Sequence, residues 1–188
     1  PDGDRPLTME IVVAELTDSV VYDFSQVVCL AEWHSARAEF LPCEGLDDEQ
    51  GLQDGYVRLN SDPALEGSTQ GNPPVIEVKP NNQAEGWIAG FFPPITIQEN
   101  DHFLATIGCM DGNAGCEIIF RLEYETALGD TGVLAEWFET SDEIATNVDI
   151  SLAVLTDEEV RLILVVQEND GRSLEAKGFW LNGRIERR

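Results

Sequence analysis

From Glu117 to Thr126 the side chains alternate with a period of two. Ile118, Phe120, Leu122 and Tyr124 fall on one side, and Glu117, Arg121, Glu123 and Glu125 on the other. A chain that switches sides at every residue is a β-strand with one buried and one wet face, because a helix would need apolar residues every third or fourth position. Val160, Leu162, Leu164 and Val166 repeat the pattern. There Ile163 and Val165 make the second side apolar too, which predicts a central strand. Further strands are expected at Tyr56–Asn60 and Val75–Lys79, and at 10–15, 86–91, 102–109, 133–139, 147–152 and 178–185. Turn residues separate them: Gly71-Asn72-Pro73-Pro74, Pro80-Asn81-Asn82, Pro93-Pro94, Asp111-Gly112-Asn113, Gly129-Asp130, and a tight hairpin turn at Asn169-Asp170-Gly171. One short helix is expected over 22–30, with Asp23 as its cap.

Short strands at this spacing make an all-β protein, an antiparallel jelly-roll-like β-sandwich with one short helix. The 188 residues suit a single β-sandwich domain over 1–188, in which 1–21 form an added edge strand or a tail. Four cysteines fall into two sequence-local pairs, Cys29 with Cys43 and Cys109 with Cys116, and neither has Cys-x-x-Cys spacing. Two local disulfides made in an oxidising compartment account for them, which places the chain outside the cell or at its surface. A start at Pro1 rather than methionine fits an export signal already removed.

Charge narrows the partners. Thirty-six acidic residues against eleven basic ones give a net charge of −25, which repels nucleic-acid phosphates and anionic lipid headgroups. No apolar run approaches the roughly 20 residues of a membrane helix, so membrane insertion is not expected. Neutral ligands such as a glycan or cell-surface polymer, cations, basic proteins and self-association remain.

Several residues bear on a site. Aromatic rings stack on sugar rings while polar neighbours fix orientation, and the candidates are the four tryptophans. Trp33, near Cys29 and Cys43, and Trp180, beside Phe179, are expected in the core; Trp87 and Trp137 are the expected ligand-binding rings. Arg121 and Glu123 would supply hydrogen bonds from the wet face of one strand. Glu123 and Glu125, some 7 Å apart on that face, also set up a remote alternative as the carboxylate pair of a glycosidase. The acidic loop Asp47-Asp48-Glu49 with Asp54 offers oxygen ligands for Ca²⁺, although no cofactor is required. No Ser/His/Asp set, nucleophile elbow or phosphate-binding glycine loop is present.

Two resemblances follow. Tyr22-Asp23-Phe24, Cys29, Ala31-Glu32-Trp33, Leu41-Pro42-Cys43-Glu44-Gly45, Gly86-Trp87-Ile88, Asp101-His102-Phe103, Ile107-Gly108-Cys109, Cys116, Phe120-Arg121-Leu122, Val148-Asp149-Ile150-Ser151-Leu152 and Phe179-Trp180 resemble an uncharacterised secreted module of filamentous bacteria, over 20–187. Over 101–185, the strands around Phe103, Ile118, Val148 and Val160 with Trp180 resemble NPCBM, a carbohydrate-binding module with a galactose-binding-like jelly roll. That family tends to carry an acidic-His-acidic run before the tryptophan. Here the run reads Glu175-Ala176-Lys177-Gly178-Phe179, so no ligand residue is carried over. The resemblances imply a secreted, non-catalytic binding module, most plausibly for carbohydrate. The alternative is a structural or adhesion module that binds proteins or itself.

Overall fold

The period of two becomes burial. In strand β8 (Glu117–Thr126), Ile118, Phe120 and Leu122 are fully buried, while Glu117, Ile119, Arg121 and Glu123 are half-buried on the other side. We describe a computed structural model, and the residues it describes are 19–67, 74–169 and 176–188. The expected strand at 10–15 and most of the turns at 71–74 and 169–171 lie outside them.

Two antiparallel sheets pack face to face. The first contains β10 (Thr146–Ser151), β7 (Asp101–Cys109), β12 (Gly178–Arg187), β4 (Val75–Lys79) and β3 (Tyr56–Asn60), in that order, with β1 (Ser19–Asp23) pairing on the later half of β12. The second runs β2 (Glu32–Ser35), β5 (Trp87–Phe91), β11 (Glu159–Glu168), β8 and β9 (Thr131–Thr140), and the two-residue β6 (Ile95–Thr96) adds to β11. This is the jelly-roll-like sandwich expected, and β11 is central as predicted, with Ile163 and Val165 buried on its outer side.

The core lies between the sheets. Phe103, Ile107, Trp180 and Ile185 from one side meet Ile88, Phe120, Leu162 and Leu164 from the other. Trp33 is 1% exposed and lies over β5, where any side chain at Gly90 would sit 2.6 Å from the indole. Its ring nitrogen donates to the Val28 carbonyl at 2.9 Å, next to Cys29. Both expected disulfides are formed, Cys29–Cys43 and Cys109–Cys116.

The helix expectation needs correcting. Residues 22–30 end strand β1, turn, and close in a three-residue 3₁₀ turn at Val28–Leu30. Asp23 accepts from the Ser25 amide and hydroxyl and from the Gln26 amide, so it stabilises a local turn instead of capping a helix. Phe24 decides the matter. It is fully buried, edge-on to Tyr22, Phe92 and Phe103 at 4.7–5.3 Å, and that burial outweighs a weak local helix preference. Among the described residues the one α-helix, α1 (Glu49–Asp54), sits in the acidic loop instead, where the Asp48 carboxylate accepts from the Gly51 amide. Among the described residues no helix is long and apolar enough to cross a membrane.

A pair of buried carboxylates is exposed to a pH test. Glu66 is 4% and Glu139 6% exposed, and Glu66 accepts the Cys109 amide at 2.5 Å. Burial pushes both carboxyls above the usual range, and each also feels nearby acidic charge. A raised folded-state pKa means that the folded protein holds its proton more tightly than the unfolded chain. Stability from these groups therefore grows as pH falls from neutral toward the ordinary carboxylate range, and is lost as pH rises through the raised values. Glu139→Gln removes one charge at neutral pH and is expected to raise Tm at pH 7.5 but not at pH 4. An equal Tm change at both pH values would refute the account.

Candidate functional site

The outer face of the second sheet brings the readable candidates together. Strand β5 sends Ile88 and Gly90 inward, which leaves Trp87, Ala89 and Phe91 outward. The register then sets rows across the sheet. Trp87 stands beside Gln167, Ile119 and Phe138; Ala89 beside Val165, Arg121 and Glu136; and Phe91 beside Ile163 and Glu123. On the near edge, His34 and Glu32 of β2 flank Ala89 and Phe91.

The result is an apolar floor with charged margins. Ala89, Ile163 and Val165 are buried there, and half-buried Trp87 and Phe91 pack on them. Phe91 is engaged: the Arg161 guanidinium lies 5.4 Å over its ring and His34 meets its edge at 5.2 Å. Arg161 reaches Glu32 at 3.1 Å and donates to the Phe91 carbonyl. Arg121 bonds Glu123 at 2.9 Å and approaches Glu136 at 3.7 Å. These partly exposed pairs contribute little stability, typically below about 1 kcal/mol, but they hold the polar groups in place. Strands lie about 4.8 Å apart and same-face neighbours about 7 Å apart, so Trp87 and Arg121 stand roughly 12 Å from one another across the floor. This is a flat ring beside ordered donors and acceptors, the pairing by which an extended polar ligand with apolar faces is held.

The other candidates are placed elsewhere. Trp137 does not join Trp87, because it stands opposite Phe120 and turns inward, edge-on to Trp180 at 6.5 Å. Glu125 shares the outer face with Glu123, next to Arg161. The acidic loop is dispersed among separate partners. Asp47 pairs with Lys177, Asp48 caps α1, Glu49 opens that helix, and Asp54 approaches Arg37 and accepts from Gln50. Among the described residues the one gathering of three metal-type ligands is Cys29, Cys43 and Glu44, and both sulfurs are spent in the disulfide. Asp111-Gly112-Asn113 forms a turn inside the second disulfide loop, with the Gly112 amide donating to Asp111.

Sequence reasoning passed over Phe91, His34, Arg161 and Gln167. The alternation Trp87-x-Ala89-x-Phe91 was legible within β5, but nothing in it says that β11 and β2 are its neighbours.

No protein-family model and no curated relative matches the chain. Solved structures do. A carbohydrate-binding module of the β-sandwich superfamily, from a study of promiscuous specificity, matches at TM-score 0.54 and 9% identity, over 91% of this chain and 62% of that one. TmCBM61 in complex with β-1,4-galactotriose matches at 0.49 and 9%, over 83% and 88%. CBM51 from Clostridium perfringens GH95, in complex with methyl-galactose, matches at 0.46 and 14%, over 90% and 99%. The chain therefore folds as a β-sandwich like that of carbohydrate-binding modules. At these identities the likeness is one of fold.

Proposed function

We propose that this is an exported, non-catalytic carbohydrate-binding module that holds a glycan along the outer face of β2, β5, β11, β8 and β9. The carrying observation is the Trp87 ring seated on the floor of Ala89, Ile163 and Val165, with the paired Arg121 and Glu123 diagonally across the same face. One sugar ring would stack on Trp87 and bond the adjacent Gln167, while sugars further along the chain bond Arg121 and Glu123. The two disulfides support an extracellular or cell-surface setting, and the fold shared with sugar-binding modules supports the ligand class. The resemblance of 101–185 to NPCBM points the same way.

The test is a polysaccharide panel followed by calorimetry. Parent protein is expected to bind at least one neutral glycan. Trp87→Ala is expected to weaken that binding at least about tenfold, equivalent to about 1.4 kcal/mol or more, with Tm shifted by only a few degrees because the ring is half-buried. Absence of binding across plant, bacterial and animal glycans, or unchanged affinity in Trp87→Ala, would overturn the reading.

A further inference from the structure

A second surface is built by the residues that join β2 to β3, and it shares no residue with the face that carries Trp87. A groove of about 320 Å³ opens there. Its floor is Leu41 and the ring of Tyr56, both buried, and its lips are Phe40 and Leu46, which leave 72% and 68% of their surface in water. Its walls are pinned. The Cys29–Cys43 bridge anchors one side, Leu41 pairs back onto Trp33, the Gly45 amide donates to the Val57 carbonyl at 2.7 Å, and Asp48 caps α1 on the other side. Such a groove exists before any ligand arrives.

The polar groups of the rim are of one kind. Glu44, Asp48 and Asp54 line it. Residues 39–54 carry six carboxylates, Glu39, Glu44, Asp47, Asp48, Glu49 and Asp54, against Arg37 and Lys177 as the cations that reach them. Among the described residues no cation lies within ion-pair distance of Glu44. An ionised carboxylate only accepts hydrogen bonds, and lysine and arginine side chains only donate them. Their aliphatic stems also lie along apolar surface while the charged head reaches outward. Apolar lips with an acceptor-only rim therefore match basic side chains flanking an aliphatic anchor, and the net charge of −25 speeds the encounter.

We propose that this groove docks a basic segment of a partner protein, one aliphatic residue seated between Phe40 and Leu46 and neighbouring lysines or arginines on Glu44 and Asp54. The proposal is independent of glycan binding at Trp87.

The probe is the capped peptide Gly-Lys-Arg-Leu-Leu-Arg-Lys-Gly, titrated calorimetrically into the full chain. Binding is expected at low salt and weakens at high salt. Phe40→Ser and Glu44→Gln, both exposed and remote from the core, are each expected to reduce affinity, Phe40→Ser at least about tenfold, while glycan binding stays unchanged. A twin peptide with serines for leucines is expected to bind much more weakly. Equal binding of the two peptides, equal binding by Phe40→Ser, or no binding at all would overturn the proposal.

Discussion

Trp180→Ala is expected to lower the stability of the folded state by about 3–5 kcal/mol, the range for removing a buried large aromatic. The indole is 1% exposed and sits where the sheets meet. It packs edge-on to Phe103 of the first sheet at 6.1 Å, and to Phe120 and Trp137 of the second at 5.0 and 6.5 Å. Deleting it removes the ring that joins both layers and opens a cavity the rigid sheets cannot close. A loss of this size takes up much of a typical total of 5–15 kcal/mol. A companion variant separates shape from polarity. The Trp180 ring nitrogen is buried without a hydrogen-bond partner, so Trp180→Phe discards an unsatisfied donor along with some volume. It is expected to cost clearly less than the alanine. Urea unfolding followed by circular dichroism measures both. A Trp180→Ala loss below about 1 kcal/mol would contradict the packing account.

Glu77→Ala carries the second large effect, again about 3–5 kcal/mol, because it breaks a buried charged cluster from one side. Glu77 is 1% exposed on β4. Its oxygens accept from the Tyr56 hydroxyl, the Arg58 guanidinium and the Asn60 amide, each at 2.7 Å. These three donors are alternate residues of β3, so a single carboxylate clamps a whole edge strand. Burial and the adjoining Glu77 push the Tyr56 hydroxyl well above its ordinary pKa, which keeps it a donor throughout the working range. Alanine leaves three donors facing a void. For a chain of this length the expected fall in Tm is roughly 6–20 °C. Glu77→Gln, which keeps an acceptor, is expected to fall between parent and alanine. A double-mutant cycle with Arg58→Ala reads the coupling directly; additive losses would show that the cluster does not act as a unit.

Neither Glu77 nor Asp101 stands out in the sequence. Asp101 is fully buried and takes a two-point contact from Arg187, 86 positions away. In a chain with thirty-six acidic residues, most of them on the surface, the few that are buried carry no local mark. Their donors arrive from distant strands, and only those donors make the burial tolerable.

Alternation along the chain was enough to define β3, β4 and β8 at their observed bounds, to put Trp33 and Trp180 inside, and to make two local cystines the natural pairing. These are properties of short stretches, governed by side-chain direction and loop length. The order of strands was not available there. A period of two says which residues of a strand share a side, but not which other strand lies next to it. Packing alone sent Trp137 inward and Trp87 outward, set Arg161 over Phe91, and drew Phe24 into the core at the expense of a helix. Each of those outcomes depends on contacts between residues far apart in the chain, where burial energy exceeds any local preference.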